Sequence, residues 1–277
     1  MPLTPSETRQ VLDALGHHPR KKLGQNFLVD GNIVRKSLEL AGISSGDLVV
    51  EVGPGIGTLT SALLEAGASV YAVELDKTLH AYLRSEGFRE RFAPEQIERF
   101  HLLHADALDN PIAALPDEIA KEGSYKIVAN LPYAISTPWL DAVLSGQLPQ
   151  SMTLMLQKEA ADRFIAKAGS KAFGGIAIFL QAAYTPVAQH KVGAQCFYPA
   201  PDVGSALLHV ERRAEPIIFA KETKALIRRL FNQRRKQIGA VLKQLEDGGA
   251  WQKRFEANGV TATTRPEDVP LEKWLEL

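Results

Sequence analysis

The chain has one cysteine, Cys196, in 277 residues. An internal disulfide is therefore excluded, and such usage fits a reducing compartment. Net charge is also missing: 32 Lys and Arg are matched by 32 Asp and Glu. A global positive field is excluded, so a polyanion could be met only by a local basic patch. Long apolar runs are absent as well. None approaches the roughly 18 residues of a membrane span, and residues 1–16 hold no apolar stretch of signal-peptide type. The expectation is a soluble, cytoplasmic protein with no membrane partner.

What is present supports a packed core: 45% of residues are hydrophobic and 23% charged. The length suits one large and one small domain. Through the first two-thirds, β-branched runs alternate with segments of helical spacing. Strands are expected at 48–52, 69–75, 97–104, 126–130, 152–156 and 206–210. Helices are expected at 58–66, 77–85, 138–144, 158–166 and 176–183. This alternation predicts an α/β fold with a mostly parallel sheet, its site beyond the carboxyl ends of the strands. After about Arg213 the pattern becomes helical, at 221–230 and 237–245, interrupted by Asn232 to Lys236. Two domains follow, 1–213 and a small all-helical 214–277.

Three features carry chemistry. Glu51-Val52-Gly53-Pro54-Gly55-Ile56-Gly57 places a glycine-rich turn between a strand and a helix. Glycines permit close backbone approach, and the helix start offers free N–H donors. Its G-x-G-x-G spacing departs from the dinucleotide fingerprint, which disfavours a pyrophosphate ligand and a nicotinamide oxidoreductase. Glu74 ends the next strand, at the ~20-residue distance from which an acid accepts from ribose hydroxyls. Asp106 follows the third expected strand, where a carboxylate can accept from an exocyclic amine or cap a helix. Asn130-Leu131-Pro132-Tyr133 ends the strand 126–130. An adenine N6 amine is a poor nucleophile until two acceptors draw its hydrogens out of the ring plane. The Asn130 side-chain oxygen and the Leu131 carbonyl could do this, with Pro132 fixing the backbone and Tyr133 stacking the base.

Five motifs occur in one order: Gln25-Asn26-Phe27-Leu28, Glu51 to Gly57, Glu74-Leu75-Asp76, Asn130 to Tyr133, and Phe231-Asn232-Gln233-Arg234-Arg235-Lys236. Together they resemble the ribosomal RNA adenine dimethyltransferases, most closely the bacterial small-subunit type, over nearly the whole chain. The resemblance implies a Rossmann-like S-adenosylmethionine-dependent sheet and release of S-adenosylhomocysteine. It implies N6,N6-dimethylation of two adjacent adenines near the 3′ end of 16S rRNA, with the 30S subunit or its precursor as partner and the chain acting as a monomer. Carried over by motif, Asn26, Leu28, Gly53, Gly55, Glu74, Asp106 and Asn130 hold the cofactor. Asn130, Leu131, Pro132, Tyr133 and Phe197 form the target site, Phe197 being the second aromatic against the base. Arg20, Lys21, Lys22, Arg234, Arg235 and Lys236 are the RNA-contact candidates. Where the family often has an arginine, this chain has Phe173-Gly174-Gly175, which puts an RNA contact there in doubt.

Other readings are weaker. Cys196 lacks a cationic neighbour that would activate it as a nucleophile. His101 and His104, three apart on a strand, point to opposite faces, so no metal site is expected. A non-catalytic RNA-binding assembly factor would not need the cofactor and target motifs. A 23S rRNA enzyme is disfavoured by the Phe231–Lys236 run, and a DNA methylase by the lack of room for a target-recognition region.

Overall fold

The computed structural model describes residues 3–20 and 24–277. Among the described residues there are nine strands: β1 (Phe27–Leu28), β2 (Leu48–Val52), β3 (Ser69–Glu74), β4 (Phe100–His104), β5 (Lys126–Asn130), β6 (Ser151–Gln157), β7 (Tyr184–Val192), β8 (Phe197–Tyr198) and β9 (Ser205–Arg212). Seven make one sheet in the order β4-β3-β2-β5-β6-β9-β7. Strands β2 to β6 are mutually parallel where they pair, and β9 runs antiparallel to β6. The chain builds outward from β2 to β4, then returns to place β5 on the other side of β2. The carboxyl ends of β2 and β5 are thus the topological switch point, where ligands of open α/β sheets bind.

The parallel strands are continuous apolar runs because helices cover both faces. Val49, Val50, Val70, Ala72, Ile127, Val128, Leu154 and Leu156 are all essentially inaccessible. Flanking helices start where short polar side chains satisfy free amides: Asp30 caps Gly31–Leu40 and Asp76 caps Lys77–Arg84. Every strand expected from the sequence is present, two with the expected bounds and four shifted at one or both ends by one to three residues. Three strands were not expected: β1 and β8, only two residues each, and β7, whose residues alternate weakly at the sheet edge, where polar side chains and Pro186 are tolerated.

The chain clusters into two compact units, residues 1–161 with Pro186–Arg212, and Asp162–Thr185 with Arg213–Leu277. One change of unit comes at Arg213, and Asp162–Thr185 groups with the C-terminal residues. A physical reason is visible: buried Phe173 meets Phe231 edge-on at 5.8 Å, and Phe231 and Phe255 both pack on buried Trp274. Helices Gly175–Ala183, Lys221–Asn232, Ile238–Leu242, Gly248–Ala257 and Leu271–Leu275 belong to this second unit. Charge is segregated between the units. The second holds 16 Lys and Arg against 10 Asp and Glu, a formal +6, and the first carries the opposing −6.

Candidate active site

A cleft open to solvent lies at the switch point. Asn26, Leu28, Gly53, Gly55, Glu74, Asp106 and Asn130 all line it. Its floor is the turn after β2. Gly53, Gly55 and Gly57 have φ of 66°, 62° and 78°, a region that side chains disfavour. At Gly57 a Cβ would stand 2.4 Å from the Phe88 ring, so this position must be bare for the turn to close. Gly57 starts the helix Thr58–Glu65 without a side-chain cap. Gly55 passes under the Phe27 ring, from which a Cβ would be only 3.1 Å.

Two buried acids define the electrostatics. Glu74 Oε2 accepts from the Gly55 amide at 3.1 Å and Oε1 from the Asp76 amide at 2.8 Å. Burial pushes its carboxyl up to about 7 despite those bonds. Glu51, at 2% exposure, is pushed up to about 8 by burial, with the Glu74 charge adding to the rise. Thr60 donates to Glu51 Oε2 at 2.7 Å. Glu51 is not among the site residues expected from sequence, though a lone acid inside the apolar run Leu48 to Val52 is the signal that marks it.

Asp106 accepts from the Leu108 amide through Oδ1 at 2.8 Å, so it caps the local turn while also lining the cleft. Asn130, at the end of β5, donates its side-chain amide to the Asn26 carbonyl at 2.9 Å. That bond selects the amide orientation and leaves the oxygen as an acceptor. The Leu131 amide is held by the Met155 carbonyl at 3.2 Å, and Pro132 lines the cleft. Tyr133 opens a 3-10 turn, half-buried, with its hydroxyl 2.5 Å from Ser205 Oγ. Burial raises the phenol, so it stays protonated.

Two expected roles meet a different environment. Phe197 is 4% exposed and packs into the core with Leu28 and Cys196, its strand paired to β1. Its ring presents no open face to a base here. Arg234 is committed within its own unit: its guanidinium pairs with Glu267 and donates to the Lys171 carbonyl at 2.7 Å. Arg235 and Lys236 are exposed. Arg20 is exposed and 3.8 Å from Asp76, and Lys21 and Lys22 lie outside the described residues. The Cys196 thiol donates to Asp30 Oδ2 at 3.5 Å and is raised by burial, the opposite of an activated nucleophile.

A latch unseen in the sequence holds the segment that covers the cleft. Gln25 donates to Asp76 Oδ2 at 3.2 Å, and its carbonyl oxygen faces His17 Nε2 at 3.1 Å and accepts from the Arg20 amide at 2.8 Å. Leu12, on the helix Pro5–Ala14, packs with Phe27, Ile56 and Leu79.

The cleft's chemistry discriminates between ligands. Three acids line it, and no Lys or Arg does so among the described residues. A pyrophosphate would meet only backbone amides opposed by carboxylates. A ligand bearing cations and hydroxyl donors fits instead, and S-adenosylmethionine, with an ammonium, a sulfonium, ribose hydroxyls and a purine amine, is of that kind. Among the described residues, no group of His, Cys, Asp and Glu is placed to hold a metal.

Comparison with known proteins agrees. The family model for ribosomal RNA adenine dimethylase matches residues 16–277. The chain belongs to the ribosomal RNA adenine dimethylase family. It is 60% identical to the ribosomal RNA small subunit methyltransferase A of Opitutus terrae, over 99% of this chain and 97% of that one. The protein of the same name from Protochlamydia amoebophila is 38% identical over 99% and 95%. Among solved structures, a dimethyladenosine transferase from Plasmodium falciparum superposes with TM-score 0.70 at 22% identity, covering 90% of this chain and 95% of that one. The 23S rRNA methyltransferase ErmE gives 0.63 at 23%, covering 91% and 97%. At those identities the structures show the fold, a Rossmann-like methyltransferase sheet. Family membership makes the chain an rRNA adenine dimethyltransferase that draws on S-adenosylmethionine.

Proposed function

We propose that this enzyme dimethylates N6 of two adjacent adenines near the 3′ end of 16S rRNA, in the small ribosomal subunit or its precursor. The observation that carries the chemistry is the placement of Asn130 at the rim of an acid-lined cleft, with its oxygen left free to accept. The small-subunit assignment is supported by full-length relatives that bear that name.

In this reading Glu74 accepts from the ribose hydroxyls, Asp106 accepts from the adenine amine, and the Gly53–Gly55 backbone borders the methionine end; their shared place in the lining of one cleft supports it. Asn26 and Leu28, held down by the latch on Asp76, cover the ligand. When bound, S-adenosylmethionine supplies an electrophilic methyl on a sulfonium. The chain's own residues then orient the amine: the Asn130 oxygen and the Leu131 carbonyl accept its hydrogens and favour the charge that develops on nitrogen. Pro132 carries no N–H to compete for them. Tyr133 supports the target ring. Phe197 can join it only if its ring leaves the core. Charge supports a division of labour in which the +6 second unit, through Arg235 and Lys236, meets rRNA phosphates. The residues lining the cleft all belong to one unit of one chain, which supports action as a monomer.

The test is to incubate the protein with labelled S-adenosylmethionine and unmethylated 30S, 50S, naked rRNA or duplex DNA, and to identify the product by mass spectrometry. Dimethyladenosine in 30S is expected. Labelling confined to 50S or to DNA refutes the substrate, and no labelling of any of them refutes the enzymatic role.

A further inference from the structure

We infer that Ser205 is a positioning residue for methyl transfer, its hydroxyl fixing the plane of the Tyr133 ring against which the purine is held. The inference rests on the role proposed above for Tyr133. It starts from topology. Tyr133 lies on the loop leaving β5, and Ser205 is the first residue of β9. Because β9 is antiparallel to β6, its beginning lies level with the ends of the parallel strands: Ser205 pairs with Gln157, the last residue of β6, while Asn130 pairs with Met155. Two segments 72 residues apart therefore meet at the rim, hydroxyl to hydroxyl at 2.5 Å.

The turn fixes the tyrosine backbone but not its ring. Ile135 donates to the Pro132 carbonyl at 3.1 Å, and Ser136 Oγ to that of Tyr133 at 3.1 Å. What remains free is the swing of the side chain, and a tether at the far end of the phenol removes it. Ser205 is a rigid anchor: it is 2% exposed, its strand is paired along its length, and its neighbour Gly204 accepts from the Lys158 amide at 2.8 Å. Of the two aromatics expected at the target base, Phe197 is in the core, so the tethered ring is the one available. The raised phenol keeps its proton and so remains able to donate to Ser205. A planar purine amine methylated twice needs the same ring plane in both rounds, and a loose stacking platform would misplace the nitrogen.

The experiment uses the full chain, labelled S-adenosylmethionine and unmethylated 30S subunits, reading single-turnover transfer and cofactor Kd separately. Ser205→Ala is expected to slow transfer by roughly tenfold, a cost of misalignment, with cofactor Kd within about twofold. Tyr133→Phe removes the same bond from the other side. The double variant should be no slower than the slower single, and Ser205→Thr should restore the rate. Multiplicative losses in the double variant would overturn the inference, because they mean that Ser205 acts through something other than the phenol. A normal rate for Ser205→Ala beside a crippled Tyr133→Ala would overturn it too. A normal rate for Tyr133→Ala would instead overturn the role given to Tyr133 itself.

Discussion

The side-chain amide of Asn130 is bonded to the backbone of Asn26, 104 residues earlier, at 2.9 Å. The residue that is to bind the target amine thus also holds the segment covering the cleft. Asn130→Ala loses both functions, but unequally. Transfer should fall by about 100-fold or more, the typical cost of an aimed polar group. Cofactor affinity should weaken by only a few-fold, the worth of one neutral hydrogen bond at ~1 kcal/mol. Single-turnover rates and equilibrium binding check the split, and near-normal turnover would refute the assignment.

The two buried acids give the ligand-free protein a pH signature. Both Glu51 and Glu74 hold protons in the folded state at pH values where the unfolded chain has released them. The folded state then binds more protons, so stability declines as pH rises from about 4.5, the unfolded value, through about 7 and 8. Thermal melting of the empty protein should drop across that window, and Glu51→Gln should flatten the drop. A melting temperature that climbs from pH 5 to 8 in the wild type, with the variant unchanged, would contradict it.

Arg234 and Arg235 are neighbours with opposite fates. Arg234→Ala should lower the melting temperature, because it strips Glu267 and the Lys171 carbonyl of their partner. Arg235→Ala should leave melting unchanged and weaken rRNA binding. If Arg235 touches a phosphate, its loss reduces the slope of log K against log salt by about 0.7 to 0.9. Binding isotherms at several salt concentrations, beside melting curves, separate the two.

Gly57→Ala is expected to damage both fold and cleft. Its positive φ costs an L residue ~1–2 kcal/mol, and the added carbon overlaps the Phe88 ring, overpacking worth ~1–3 kcal/mol. The melting temperature should fall by several degrees and cofactor Kd should rise. An unshifted melt would show that the turn can relax.

Much of the sheet and of the cleft was legible because both follow from local pattern. Short β-branched apolar runs such as Ile127 to Ala129, bounded by polar or turn residues, read as buried strands, and glycines between a strand and a helix read as a tight turn. What escaped depends on distant partners. Nothing near Arg234 announces Glu267, nothing near Tyr133 announces Ser205, and nothing near Gln25 announces Asp76. Phe197 was placed beside the target by its motif, but its pairing with Leu28 across two short strands sends the ring inward. Phe173 illustrates the same limit at the level of units, since a partner at Phe231 outweighs proximity along the chain.

The opposed charges of the two units have a consequence for encounter with a polyanion. With zero net charge the uniform pull on the molecule cancels, but +6 on one unit and −6 on the other mean that a polyanion draws the second unit and repels the first. Adding salt should then weaken that preference for one unit along with the attraction itself.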